Sequence, residues 1–211
     1  MKANFRLVRL LVLAAVFAAA GLGVPGTSSS STGTTLDNLM AAYNGESNAH
    51  AKYLEYAKKA DQEGYLRVAR LFRAAARAEE IHLNNHAQVI ESMGGKPKAD
   101  IKLPEIKSTK ENLEDALKGE SYERDTMYPE FIAQAEKEKN DDAVRTFTYA
   151  KEAEAEHAKL YQAALGELDQ WKSAKADFYV CPTCGYTVEN TPGFTSCPVC
   201  NTPAKLYEKM S

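Results

Sequence analysis

The chain has only four cysteines, one tryptophan and four histidines. Cys181, Cys184, Cys197 and Cys200 all lie near the C-terminus, so no disulfide can staple the long segment before them. No cysteine follows the N-terminal apolar stretch, which leaves a lipid anchor without an attachment point. A bilayer-spanning helix needs about 20 apolar residues, and the apolar run ending at Val24 falls short of that. Adjacent arginines are missing, which disfavours twin-arginine export. Excess positive charge is missing as well: the formal net charge is -3, and no basic stripe suggests nucleic acid as a partner.

What is present begins with an export signal over residues 1–20. Lys2, Arg6 and Arg9 form a basic start, Leu10 to Ala20 an apolar centre, and Ala18-Ala19-Ala20 a small-residue cleavage site. The expected location is therefore outside the cytoplasm, in the periplasm, with retention as an uncleaved anchor as the alternative. Residues 21–35, rich in Gly, Ser and Thr, read as a flexible linker.

Four long helical segments follow, over about 36–63, 66–93, 108–139 and 141–168. Thr34-x-x-Asp37 and Ser108-x-x-Glu111 are capping-box patterns at two of the starts, and Gly64 and Gly94 are stops. Apolar stripes with steps of three and four run along each helix. Four glutamates sit within those stripes: Glu46, Glu79, Glu120 and Glu154. Burying a carboxylate without a partner is very costly, so four of them facing one core require cations.

Two of the glutamates open Glu-x-x-His units, Glu79–His82 and Glu154–His157, in which residues three apart share a helix face. Glu46 precedes Glu79 by 33 residues, and Glu120 precedes Glu154 by 34. Asn44-Gly45-Glu46-Ser47 matches Lys118-Gly119-Glu120-Ser121, and a tyrosine follows each, Tyr53 and Tyr128, as expected of a duplicated helix pair. A solvated surface pair would account for one such unit but not for the repeat and the buried phase together. One glutamate from each of two helices and a Glu-x-x-His from each of the other two is the ligand set of a dinuclear carboxylate metal site in a four-helix bundle. His50 and His86 are expected to be structural.

Short links make each pair an antiparallel hairpin. Between the pairs, Gly94 to Ser108 reads as non-helical. A 28-residue helix is about 42 Å long, and 15 extended residues reach up to about 50 Å. The segment can therefore cross the bundle end to end, which predicts a mainly α, ferritin-like four-helix bundle with one long crossover over 36–170.

After Trp171 the pattern changes to short strands and turns. Cys181-Pro182-Thr183-Cys184 and Cys197-Pro198-Val199-Cys200 form two Cys-x-x-Cys knuckles, the spacing of a tetrahedral four-thiolate metal site rather than of disulfides. Residues 171–211 are thus expected to be a small β module built on four cysteines, and one that resembles rubredoxin. Ligand identity leaves iron and zinc both open, iron making it an electron carrier and zinc a structural ribbon.

From about Leu36 to Tyr207 the chain resembles rubrerythrin. Carrying the resemblance are Gly45-Glu46-Ser47 with Tyr53, Glu79-Glu80-Ile81-His82, Gly119-Glu120 with Glu123 and Met127-Tyr128-Pro129, Glu154-x-x-His157, and the Cys-Pro-x-Cys-Gly-Tyr knuckle. The resemblance implies a non-haem di-iron peroxidase that reduces hydrogen peroxide to water. Glu46, Glu79, Glu120, Glu154 and His157 would be iron ligands. Glu123 and His82 would be an exchanging pair, glutamate bound when oxidised and histidine when reduced, and Tyr53 and Tyr128 would line the site. Cys181, Cys184, Cys197 and Cys200 would hold one rubredoxin-type iron. Electrons, supplied by a donor protein, would cross a head-to-tail homodimer interface, because one chain's tail would lie far from its own di-iron centre. The same bundle ligands also suit a ferroxidase that oxidises Fe(II) with oxygen, or a zinc-ribbon interaction protein with a static metal site.

Overall fold

The computed structural model describes residues 33–172 and 176–210; the export signal and most of the expected linker lie outside them. Helix α1 spans Thr35–Gln62 and α2 spans Leu66–Ser92. Thr34 caps α1: its hydroxyl accepts from the Asp37 amide while the Asp37 carboxylate accepts from the Thr34 amide, the reciprocal box that the sequence signals. The cap and first residue of α1 thus fall on the last two positions, 34 and 35, of the expected linker. Gly64, at φ +81, makes the turn between the two helices, where a side chain would be strained. Buried alanines on both helices, among them Ala57, Ala60, Ala69 and Ala76, let α1 and α2 pack closely.

The third segment departs from the single helix expected. It is α3, Thr109–Tyr122, then a π-helical turn over Glu123–Met127, then α4, Tyr128–Lys137. The widened turn advances the helical phase by one residue, so Tyr128 and Ala135 are fully buried while Met127 and Phe131 are only half-buried. Pro129 sits in the first turn of α4, where its missing N–H costs least. Helix α5 spans Asp141–Gly166, capped by the Asn140 side chain on the Ala143 amide. No helix among the described residues is long and apolar enough to cross a membrane.

The crossover runs the length of α1, as its reach predicts. Asn44 and Asn48 of α1 hold it midway, accepting from the amides of Asp100 (2.8 Å) and Lys102 (2.7 Å). At its far end the Thr109 amide donates to Glu63 at the end of α1.

The C-terminal module is a three-stranded antiparallel sheet, ordered β2–β1–β3, from β1 (Phe178–Val180), β2 (Thr187–Glu189) and β3 (Glu208–Met210). Its knuckles repeat one geometry: Gly185 donates to the Cys181 carbonyl and Asn201 to the Cys197 carbonyl, each at 3.0 Å and each at positive φ. The module sits on the bundle of its own chain. Trp171 and Phe178 join the apolar cluster around Phe72, and a row of α2 arginines reaches across. Arg77 forks onto Glu208 at 2.7 and 3.0 Å, Arg70 pairs with Asp177 at 2.8 Å, and Arg67 pairs with Glu189. The resemblance implied a tail far from its own bundle site; the apolar seat and these three ion pairs hold it close instead.

Candidate metal centre

Two apolar clusters, one around Tyr53, Tyr56, Phe72 and Tyr161 and one around Tyr128, Phe131 and Phe147, bracket a polar layer in the bundle. Into that layer project Glu46 from α1, Glu79 and His82 from α2, Glu120 from α3, and Glu154 and His157 from α5. All six are buried. They form two overlapping groups, Glu46, Glu79, His82 and Glu154, and Glu79, Glu120, Glu154 and His157, with donor atoms within 4.8 Å of one another. The shared members, Glu79 and Glu154, lie where bridging ligands of a metal pair would.

The atoms left without partners argue for cations. One oxygen of each carboxylate, Glu46 Oε2, Glu79 Oε1, Glu120 Oε2 and Glu154 Oε1, is buried with no hydrogen bond. Burial, and then the neighbouring carboxylates, pushes Glu79 and Glu154 well above the usual carboxylate range. Burial opposes ionisation of Glu120 too, but the neighbouring Glu154 carboxyl, the charge of His157 when protonated and the Tyr53 hydroxyl outweigh it and bring Glu120 down to about 2. One carboxylate is thus ionised while others are forced neutral, a division that metal ions between them would remove.

Both imidazoles are oriented by what lies behind them so that one nitrogen of each could hold a metal. His82 Nε2 is 3.1 Å from the Cys184 carbonyl, which can only accept, so that nitrogen carries the proton. Its Nδ1 then faces Glu79 Oε2 at 2.9 Å and Glu154 Oε1 at 3.0 Å, where a lone pair among carboxylates needs a cation. His157 repeats the pattern. The Thr187 hydroxyl donates to the Gly185 carbonyl and so accepts from His157 Nε2 at 3.0 Å, turning Nδ1 toward Glu154 at 2.8 Å. A ligand histidine anchored through its far nitrogen is the usual arrangement around a metal. The donor set fits a dinuclear site.

The remaining candidates fall nearby but outside those two groups. Glu123 lies in the π-helical turn and borders a cavity that also reaches Tyr53; burial and then Glu46 and Glu120 raise its pKa. Tyr53 donates to Glu120 at 2.7 Å, and Tyr128 donates to Glu46 through a short contact. His50, through the Ala76 carbonyl at 2.7 Å, bridges α1 and α2.

Three contacts lie beyond sequence reasoning. His86 is fully buried, 3.2 Å from the Tyr128 hydroxyl and 3.0 Å from Thr146 Oγ1, so it holds the tyrosine that holds Glu46. A structural role is what the sequence leads one to expect of it, but its partners carry no sequence signal. Thr187 and the Cys184 carbonyl carry no sequence signal, since their role depends on where the module docks.

In the module, Cys181 Sγ is 3.5 Å from Cys200 Sγ, and Cys184 Sγ is 3.6 Å from Cys197 Sγ. A disulfide is ~2.05 Å long, while sulfurs around one metal at ~2.3 Å are separated by roughly 3.8 Å in a tetrahedron. The four sulfurs have the spacing of a tetrathiolate site. Hydrogen bonding from Cys184 draws the Cys181 thiol down to about 5, so thiolate forms readily there.

Comparison with known proteins places this geometry among relatives. The family model described as rubrerythrin matches residues 37–165. Nigerythrin of Nitratidesulfovibrio vulgaris strain Hildenborough is 42% identical over 181 residues, spanning 85% of this chain and 88% of that protein. Rubrerythrin-2 of Clostridium acetobutylicum is 36% identical over 176 residues, spanning 82% and 95%. The solved structure of fully reduced, all-ferrous nigerythrin superposes with a TM-score of 0.80 at 38% identity, covering 95% of this chain and all of that one. A bacterioferritin of Desulfovibrio desulfuricans, at 20% identity and TM-score 0.59 over 64% of this chain and 80% of its own, shares the bundle fold.

Proposed function

Since the chain belongs to the rubrerythrin family of di-iron oxidoreductases, we propose that it reduces hydrogen peroxide to water with electrons delivered through its C-terminal iron. Its metal centres are a carboxylate–histidine di-iron site in the bundle and one rubredoxin-type iron on the four cysteines. One observation carries the peroxidase reading: the tetrathiolate knuckle touches a histidine of the di-iron site, Cys184 carbonyl to His82 Nε2 at 3.1 Å. A site wired to an electron carrier is suited to reducing a substrate again and again. A ferroxidase takes its electrons from Fe(II) itself and gains nothing from the wire.

The roles follow from position. Glu46, Glu79, Glu120, Glu154 and His157 are assigned as lasting ligands, with Glu123 and His82 as the exchanging pair. His82 stands inside the donor groups and Glu123 outside them, the arrangement that the resemblance ascribes to the reduced state. When bound, two ferrous ions supply one electron each, which matches cleavage of the O–O bond without release of a radical. Two protons must arrive with those electrons to make two waters. The Tyr53 and Tyr128 hydroxyls hold protons on Glu120 and Glu46, beside where they are needed.

Through the His82 contact the electron route stays within one chain. A head-to-tail homodimer in which two chains exchange their modules would keep the same contact, now between chains. The donor protein would meet the module from outside. We place the protein in the periplasm on the strength of Lys2, Arg6, Arg9 and the apolar segment to Ala20. Cell fractionation that left it in the cytoplasm would refute that placement.

The test of function is stopped-flow absorbance on the anaerobically reduced protein, mixed separately with hydrogen peroxide and with oxygen. Rapid reoxidation of both iron centres by peroxide, with oxygen much slower, is the expected result. Faster reaction with oxygen, or zinc in the four-cysteine site, would favour the ferroxidase. His82→Ala addresses the exchange: turnover at the wild-type rate would mean that the ligand switch is dispensable.

A further inference from the structure

Gly45 and Gly119 stand in the interiors of α1 and α3, where glycine weakens a helix relative to alanine. Neither has positive φ, and a Cβ built on either meets no atom within 4 Å. Neither backbone conformation nor close packing therefore calls for glycine. What the two share is a cavity of about 280 Å³ between α1 and α3, which both of them line. Tyr53 and Glu123 also line it, and Tyr53 is one hydrogen bond from the ligand Glu120. These two helices approach each other far less than α1 and α2 do, which leaves the gap.

We propose that this cavity is the mouth through which a molecule the size of hydrogen peroxide reaches the dinuclear site, and that the missing side chains of Gly45 and Gly119 keep it open. The rim fits a small polar visitor. Lys52 pairs with Asp115 at 3.0 Å, and Lys102, from the crossover, pairs with Asp100 at 2.7 Å, so the lysines add hydrogen-bond donors without a large field. The two glycines are equivalent positions of the internal repeat, each immediately before a ligand glutamate. The duplicated halves thus form the two sides of one entrance. Glu123, on its wall, would be the first ligand that an entering molecule meets.

The proposal rests on the peroxidase reading for its substrate but not for its test. Azide is a small probe whose binding to the oxidised, iron-loaded protein is followed by absorbance without turnover. In Gly45→Leu/Gly119→Leu, azide association is expected to slow at least about tenfold while the final azide-bound spectrum stays that of the wild type. Gly45→Ala/Gly119→Ala, whose added methyl groups have room, is expected to melt no lower than the wild type and to slow azide about two- to threefold. Wild-type association rates in both variants would overturn the mouth. Should the leucine variant fail to fold, the alanine variant decides by itself. A wild-type protein that takes up azide but is not reoxidised by peroxide would sink the peroxidase and leave the mouth standing.

Discussion

His82 Nε2 and the Cys184 carbonyl oxygen, 3.1 Å apart, join the two metal centres of this chain through a single hydrogen bond. The contact fixes the imidazole tautomer, aims Nδ1 at the carboxylates, and ties the knuckle that holds the thiolates to the site that would use their electron. A donor N–H to a backbone carbonyl also restrains the ring without competing for the metal.

Gly185→Ala tests that contact without replacing a ligand. Gly185 has φ +77, and a Cβ there would overlap His82 Nε2. The variant should push the module off the bundle, slowing electron transfer from the thiolate iron by roughly ten- to a hundredfold, the usual range for losing a ligand's outer partner. Both absorption spectra should survive. Unchanged single-turnover kinetics would mean that the contact is not on the electron route.

Arg77→Ala should loosen the same docking more gently. Its fork onto Glu208 is a bidentate pair, partly exposed and so screened by solvent, and about 1 kcal/mol is the expected loss. The module should show faster amide exchange in β3, measured by mass spectrometry, while the bundle keeps its protection. Uniform protection in the variant would refute the tie.

Tyr128→Phe would leave Glu46 Oε1 and His86 Nε2 facing a hole in their network. Stranding buried polar groups costs about 1–3 kcal/mol. Urea unfolding should report that loss, and peroxide turnover should fall because Glu46 loses its proton-bearing neighbour. A stable, fully active variant would remove Tyr128 from the mechanism.

The metal-free chain should become less stable as pH rises from about 5 to 8. Burial raises the folded pKa of Glu79 and Glu154 above the unfolded value of 4.5, so the folded state holds protons that the unfolded state has released. Stability is then full below the unfolded pKa and declines above it, by up to about 1.4 kcal/mol per pH unit for each retained proton. His82, whose pKa is also raised, acts in the same sense: burial opposes its charge, but Glu79 beside it prevails. Glu120, lowered to about 2, acts oppositely, but only below pH 4.5. Adding Fe(II) should displace the protons and abolish the decline. Denaturation midpoints across that range, with and without metal, give the answer; a flat metal-free profile would contradict it.

Much of this protein was legible in one dimension. Helix period and burial cost placed Glu46, Glu79, Glu120 and Glu154 on one buried layer, because a charged residue in an apolar stripe has no other stable explanation. The Glu-x-x-His repeat and the two Cys-x-x-Cys knuckles are local spacings, and helical turns or knuckles alone bring their ligands together. Crossover length set the bundle topology through the reach of the chain. The π-helical turn at Glu123 was not legible: its composition differs little from that of an α-helix, and the wider turn shows only in the phase of Tyr128. The partners of His86, the anchoring of His157 by Thr187, and the seat of the module beside His82 belong to the tertiary structure alone. Each joins residues about 30 to 100 positions apart, and no local pattern encodes a contact that depends on how two separately folded layers come to rest on one another.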